Sequence, residues 1–167
     1  MKKLITMAIA ILVTGCIAAF ASGKAPVALA KKQFDTQLAF TRIVVDDDID
    51  LQLKESNDRR IDLAGKQADI ENVSWKIKNG ILYIESKKGS LKDKVKATVS
   101  VNGLKEIFIK GESAVSSTGA LVSSNLYVYM NAACSVAIKN AGRIYVVNSH
   151  DTDLDIMKAT GDVQVGR

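Results

Sequence analysis

From Phe40 onward, apolar and polar residues alternate with a period of two. Ile43 and Val45, then Ile49, Leu51 and Leu53, then Ile61 and Leu63 are separated by polar or charged neighbours, the pattern of strands that bury one face. Asp46-Asp47-Asp48 and Asn57-Asp58 interrupt these runs where turns belong. Val73, Trp75 and Ile77 share one face and Leu82 and Ile84 return on another run. Asn79-Gly80 between them supplies the two positive-φ residues of a tight type I′ turn, so a hairpin is predicted. Val95, Ala97, Val99 and Val101 alternate through a further strand, and Asn102-Gly103 turns the chain again. Only Ala68 to Asn72 hints at a helix, and it is shorter than a self-supporting helix requires.

Past Gly103 a longer period appears. Ile107-Phe108-Ile109, Leu126-Tyr127-Val128 and Ile144-Tyr145-Val146 return about 19 residues apart, and Val163-Gln164-Val165 begins a fourth run. Val115, Val136 and Leu154 mark a second inward strand after each of the first three, and Gly142 and Gly161 each stand two positions before a returning triplet. A chain that lays each strand beside its counterpart one turn earlier produces this pattern. The expected fold is therefore all-β, a short right-handed parallel β-helix or solenoid over 102–167 following a β-rich head over 40–101, together one domain. With strands about 4.8 Å apart, Ile107, Leu126, Ile144 and Val163 are expected in one buried column, and Ile109, Val128, Val146 and Val165 in another. Phe108, Tyr127 and Tyr145 would then form an outward aromatic ladder, the leading candidate for a binding surface for sugar rings or another protein. Stacking between adjacent strands is the structural alternative for the same residues.

The N-terminus changes the picture from a domain to an exported domain. Lys2 and Lys3 precede an uncharged apolar run from Leu4 to Ala18, and Ala19-Phe20-Ala21 offers a small-x-small cleavage site, so 1–21 reads as a signal peptide. Val13-Thr14-Gly15-Cys16 offers a second outcome, lipidation at Cys16 as in bacterial lipoproteins. Residues 22–39, with small side chains, Pro26 and Lys31-Lys32, are expected to be a flexible tether. The destination is periplasmic, outer-membrane associated or extracellular.

Charge and cysteines narrow the chemistry. Cleavage after Ala21 removes two of the 23 basic residues and none of the 18 acidic ones, leaving +3, too little to imply nucleic acid. Cys134 would then be the one remaining cysteine, so no intramolecular disulfide is expected. Its neighbours Ala132, Ala133 and Ser135 are small and uncharged, the setting of a buried thiol rather than a reactive one. His150 is the lone histidine, and although Ser149 and Asp151 adjoin it, a catalytic triad needs its members to converge from separate elements. Asp151, Asp153 and Asp155 alternate along one strand face, where solvent exposure explains them, weak surface calcium is the second reading, and a glycan-cleaving β-helix enzyme the third. No catalytic residue, metal site or cofactor is expected.

Several stretches resemble the family described as putative auto-transporter adhesin, head GIN domain. The resemblance rests on Phe40-Thr41-Arg42-Ile43-Val44-Val45 with Ile49-Asp50-Leu51-Gln52-Leu53, on Gly80-Ile81-Leu82-Tyr83-Ile84, on Leu104-Lys105-Glu106-Ile107, and on repeats opening near Gly111-Glu112-Ser113. Departures lie at the corners, where Lys110-Gly111-Glu112-Ser113, Asn131-Ala132-Ala133-Cys134 and Asn148-Ser149-His150-Asp151 drift from a Ser-Gly-Ala type. The resemblance implies a solenoid-like, envelope-exposed protein, and with no catalytic signature among the residues the expected role is binding or assembly. Its expected partner is a protein or glycan at the cell surface, with an envelope signalling or stress module as an alternative role. The strand edge at Val163 to Val165 is expected to pair with a second copy.

Overall fold

The computed structural model describes residues 29–87 and 91–148, with the strand backbone at 163–166. In chain order the strands are β1 (Ala30–Asp35), β2 (Arg42–Val45), β3 (Ile49–Glu55), β4 (Arg60–Gly65), β5 (Val73–Lys78), β6 (Ile81–Ser86) and β7 (Val95–Val101). They continue as β8 (Glu106–Ile109), β9 (Ala114–Leu121), β10 (Asn125–Met130), β11 (Ser135–Asn140), β12 (Arg143–Asn148) and β13 (Val163–Gly166). One short helix, α1 (Gln67–Asn72), precedes β5 and covers the helical hint at Ala68 to Asn72.

The protein is all-β, built from two mixed sheets. Sheet A runs β1-β4-β7-β3-β9-β11 and sheet B runs β13-β12-β10-β8-β2-β6-β5. Neighbours from β7 to β11 in sheet A and from β6 to β13 in sheet B are parallel, whereas β1-β4-β7 and β5-β6 are antiparallel. The period-two alternation decides which side chains enter the core: Ile43, Val45, Ile49, Leu51, Leu53, Ile107 and Ile109 are all at most 1% exposed. Inward residues of both sheets join one hydrophobic cluster, and each fully buried Leu or Ile contributes about 1.5–3 kcal/mol. The hairpin expected at Asn79-Gly80 is present, with Asn79 and Gly80 at φ 52° and 71° and Lys78 opposite Ile81.

The chain passes from sheet B to sheet A at stacked corners. The Lys110 N–H donates to the Val45 carbonyl (3.0 Å) and the Asn131 N–H to the Ile109 carbonyl (2.9 Å), so each corner rests on the preceding one. Gly111 is required there: a Cβ at this position would lie 2.4 Å from the Asp47 carbonyl oxygen. Ser113 closes the contact by donating its hydroxyl to the same oxygen at 2.9 Å.

Two expectations are corrected. Ala30–Asp35, expected as part of a tether, is strand β1, antiparallel to β4, with Phe34 packed edge-on against Trp75 at 5.6 Å. The second correction concerns register. Ile107 stands opposite Val128 and Ile109 opposite Met130, not opposite Leu126 and Val128. The cause lies in β9. Ser116 pairs with Ala137 but Ala120 with Lys139, so β9 holds two more residues than β11 over the same span. Those extra residues, around Ser117 to Gly119, displace β10 by two positions relative to β8. Beyond them the expected alignment resumes, with Leu126 opposite Ile144, Val128 opposite Val146, and Ile144 opposite Val163.

Candidate functional site

The outward positions of sheet B carry an apolar and aromatic band. Register places Tyr83, Val44, Phe108, Tyr129 and Val147 in one row across five strands. A second row, two residues away along the strands, holds Ile81, Arg42, Glu106, Tyr127 and Tyr145. Tyr127 is 37% and Val147 36% exposed, and the other members of both rows are half-buried. The outward positions of sheet A are polar by contrast, with Asp62, Thr98, Gln52 and Ser116 aligned across four strands.

The rings form two stacked pairs rather than one ladder. Phe108 and Tyr129 stack with centroids 4.4 Å apart and planes at 9°. Tyr127 and Tyr145 stack at 4.9 Å and 14°. Tyr127 and Tyr129, on one strand, are 6.5 Å apart and nearly parallel at 16°. Of the three expected members, Tyr127 and Tyr145 do meet, but Phe108 meets Tyr129 instead of Tyr127. Tyr129 was signalled by the alternation Leu126-Tyr127-Val128-Tyr129-Met130, which runs beyond the triplet.

Within each pair the facing ring surfaces cover one another, and register sets Val44 beside Phe108, Glu106 beside Tyr127 and Val147 beside Tyr129. The band combines ring surface with tyrosine hydroxyls, the amphipathic character that suits protein interfaces. Beside Tyr127 lies a cleft of about 400 Å3 whose lining includes Lys105, Glu106, Val122 and Asn125.

The remaining expected residues fall elsewhere. Cys134 is a free, half-buried thiol at the corner before β11, and burial pushes its pKa up, which holds it in the unreactive form. Cys16, His150 and the Asp151, Asp153 and Asp155 series lie outside the described residues. Among the described residues no three His, Cys, Asp or Glu side chains gather where they could hold a metal ion.

The putative auto-transporter adhesin, head GIN domain family matches residues 39–166. The chain belongs to that family. None of the curated proteins compared matches it. A "putative adhesin" from Bacteroides fragilis NCTC 9343 has a similar fold, with a TM-score of 0.60 at 18% identity over 81% of this chain. "Putative adhesins" from Parabacteroides distasonis ATCC 8503 and Parabacteroides merdae ATCC 43184 share 16% and 17% identity over 84% and 72% of this chain, with TM-scores of 0.48 and 0.46. The chain spans 61% of the B. fragilis structure, 71% of that from P. distasonis and 57% of that from P. merdae. In all three the GIN-family chain is the shorter partner.

Proposed function

We propose that this GIN-domain protein is an exported, non-enzymatic binding module of the cell envelope that engages a partner protein through the outward face of sheet B. The observation that carries the reading is the continuous band from Tyr83 and Val44 through the two stacked pairs to Val147, on a molecule whose other sheet face is polar. Contiguous exposed apolar surface of this kind marks interaction sites. Family membership supports the adhesive character of the role. Export rests on the basic, apolar and small-residue signature of residues 1–21, and membrane attachment would follow from lipidation at Cys16.

The stretch from β8 to β13 reads as a short solenoid. From β8 to β12 successive strands alternate between the two sheets, β10 to β13 each lie parallel to a counterpart a turn earlier, and parallel crossovers of this type are right-handed. The head strands extend both sheets at the opposite end, where β2 pairs directly with β8. β13 is the edge strand of sheet B among the described residues, the position from which a second copy would pair.

The test compares capture of surface proteins by the wild type, by Tyr127→Glu/Val147→Glu and by Lys54→Glu on the other sheet. The reading expects one partner retained by the wild type and Lys54→Glu and lost with the double variant. Equal capture by all three contradicts it.

A further inference from the structure

A second surface, on sheet A, has a different chemistry and involves the strand that the alternation did not reveal. β1 and β4 pair so that Lys31 stands opposite Ala64 and Gln33 opposite Asp62, and β7 continues the rows with Lys96 and Thr98. Six outward positions therefore form a grid, Lys31–Ala64–Lys96 above Gln33–Asp62–Thr98. Ala64 is the smallest member and sits between two long side chains, which hollows the surface at its centre. The result is a groove of about 590 Å3, with Lys32 and Leu63 also on its wall. That volume lies within the usual range for small-molecule sites, about 300–1,000 Å3.

Lys31 and Lys96, the cations that face the groove, are uncommitted, whereas the Lys32 ammonium lies over the Phe34 ring at 5.2 Å. None of the four ion pairs among the described residues uses Lys31, Lys32 or Lys96; these pairs are Arg60 with Asp35, Lys66 with Asp93, Lys76 with Glu85 and Lys94 with Asp50. Asp50, the carboxylate next to Lys96 in register, is occupied: its Oδ1 accepts from the Ala114 N–H at 3.0 Å and lies 3.6 Å from Lys94 Nζ. Lys31 and Lys96 stand two strand spacings apart, about 10 Å between backbones, close enough for both ammonium groups to reach one anion at the centre.

We propose that this groove binds an acidic saccharide, with Lys31 and Lys96 holding a uronate carboxylate and Gln33, Asp62 and Thr98 taking the sugar hydroxyls. The mixed character of the lining favours this ligand over an anionic membrane. A lipid surface is recognised by clusters of about four to eight basic residues, whereas this groove is faced by two lysine ammonium groups, Lys31 and Lys96, with the Asp62 carboxylate beside them. Asp62 accepts hydrogen bonds from hydroxyl groups, and the Gln33 amide and Thr98 hydroxyl both donate and accept. A ligand that sets carboxylates among hydroxyl groups satisfies all of these groups together. The site is independent of the sheet B face.

Calorimetric titration of the protein, as recovered from the cells that express it, with a galacturonate tetramer tests the proposal. Binding is expected to weaken with salt, by about fivefold or more between low and high ionic strength. Maltotetraose, the neutral control, should bind at least about tenfold more weakly, because it cannot form the charge-assisted hydrogen bonds. Lys31→Ala/Lys96→Ala should lose about tenfold or more in affinity. Ala64→Leu, which fills the groove and leaves its charge intact, should lose as much, while Lys110→Ala, which removes an exposed lysine outside the groove, should bind like the wild type. The proposal is overturned if the wild type does not bind the tetramer, if maltotetraose binds equally, if both groove variants bind like the wild type, or if vesicles containing phosphatidylglycerol bind and the tetramer does not.

Discussion

The Lys139 N–H donates to Ser117 Oγ at 2.9 Å, at the point where β9 carries two residues more than β11. The hydroxyl takes a backbone donor that the interrupted ladder leaves without its regular partner, so the insertion is accommodated without stranding a polar group. Deleting Thr118 and Gly119 removes the surplus, keeps the inward and outward faces because the strand period is two, and should leave Val128 opposite Ile107 while β9 and β11 pair without interruption. Nuclear Overhauser contacts between Phe108 and Tyr129 are then expected to persist, and a switch to Phe108 and Tyr127 would contradict the placement of the surplus in β9.

The Phe108–Tyr129 stack should be energetically coupled. A double-mutant cycle with alanine at both positions, followed by urea denaturation, is expected to give about 0.5–1.5 kcal/mol of interaction energy. A coupling near zero would mean that the rings do not stack in solution.

Much of this architecture is legible in the residues, and the gaps have definite causes. Strands β2 to β7 follow from alternation because each buries one face, and Asn79-Gly80 marks its turn because two consecutive positive-φ positions suit few other residues. β1 escapes notice because its inward residues include Lys32, whose ammonium reaches back over the Phe34 ring at 5.2 Å and leaves no apolar period to read. The register of β10 escapes because Leu126 and Val128 are both apolar and satisfy either alignment. Only the length of β9 distinguishes them, and a bulge has no composition of its own beyond small residues such as Ser117 and Gly119. The lysine groove is hidden for a related reason: Lys31, Ala64 and Lys96 come from three strands far apart in the chain.

Glycine substitutions should separate close approach from mere turn composition. Gly111→Ala forces a methyl group against the Asp47 backbone, which cannot withdraw without opening the stacked corners, and should cost about 1–3 kcal/mol or more. Gly119→Ala meets nothing within 4 Å and should change stability by no more than about 0.5 kcal/mol. Thermal or urea unfolding of the two variants reads the difference.

Burial raises the pKa of Cys134, and the sign of its pH dependence follows. Below the ordinary thiol range, about 8.5, the sulfur is protonated in both folded and unfolded chains. As pH climbs past that value the unfolded chain ionises first, so the thiol's contribution to stability declines until the folded thiol ionises as well. Alkylation by iodoacetamide at pH 8, followed on the Cys134 peptide by mass spectrometry, should be slower in the folded protein than in urea.

The most direct test of the central claim is site-specific photocrosslinking in living cells, with benzophenylalanine placed at Tyr127 on sheet B or at Lys54 on sheet A. A discrete protein adduct from Tyr127, absent from Lys54, is the predicted result. Adducts from Lys54 alone, or none from Tyr127, would contradict the assignment of the sheet B face as the contact surface.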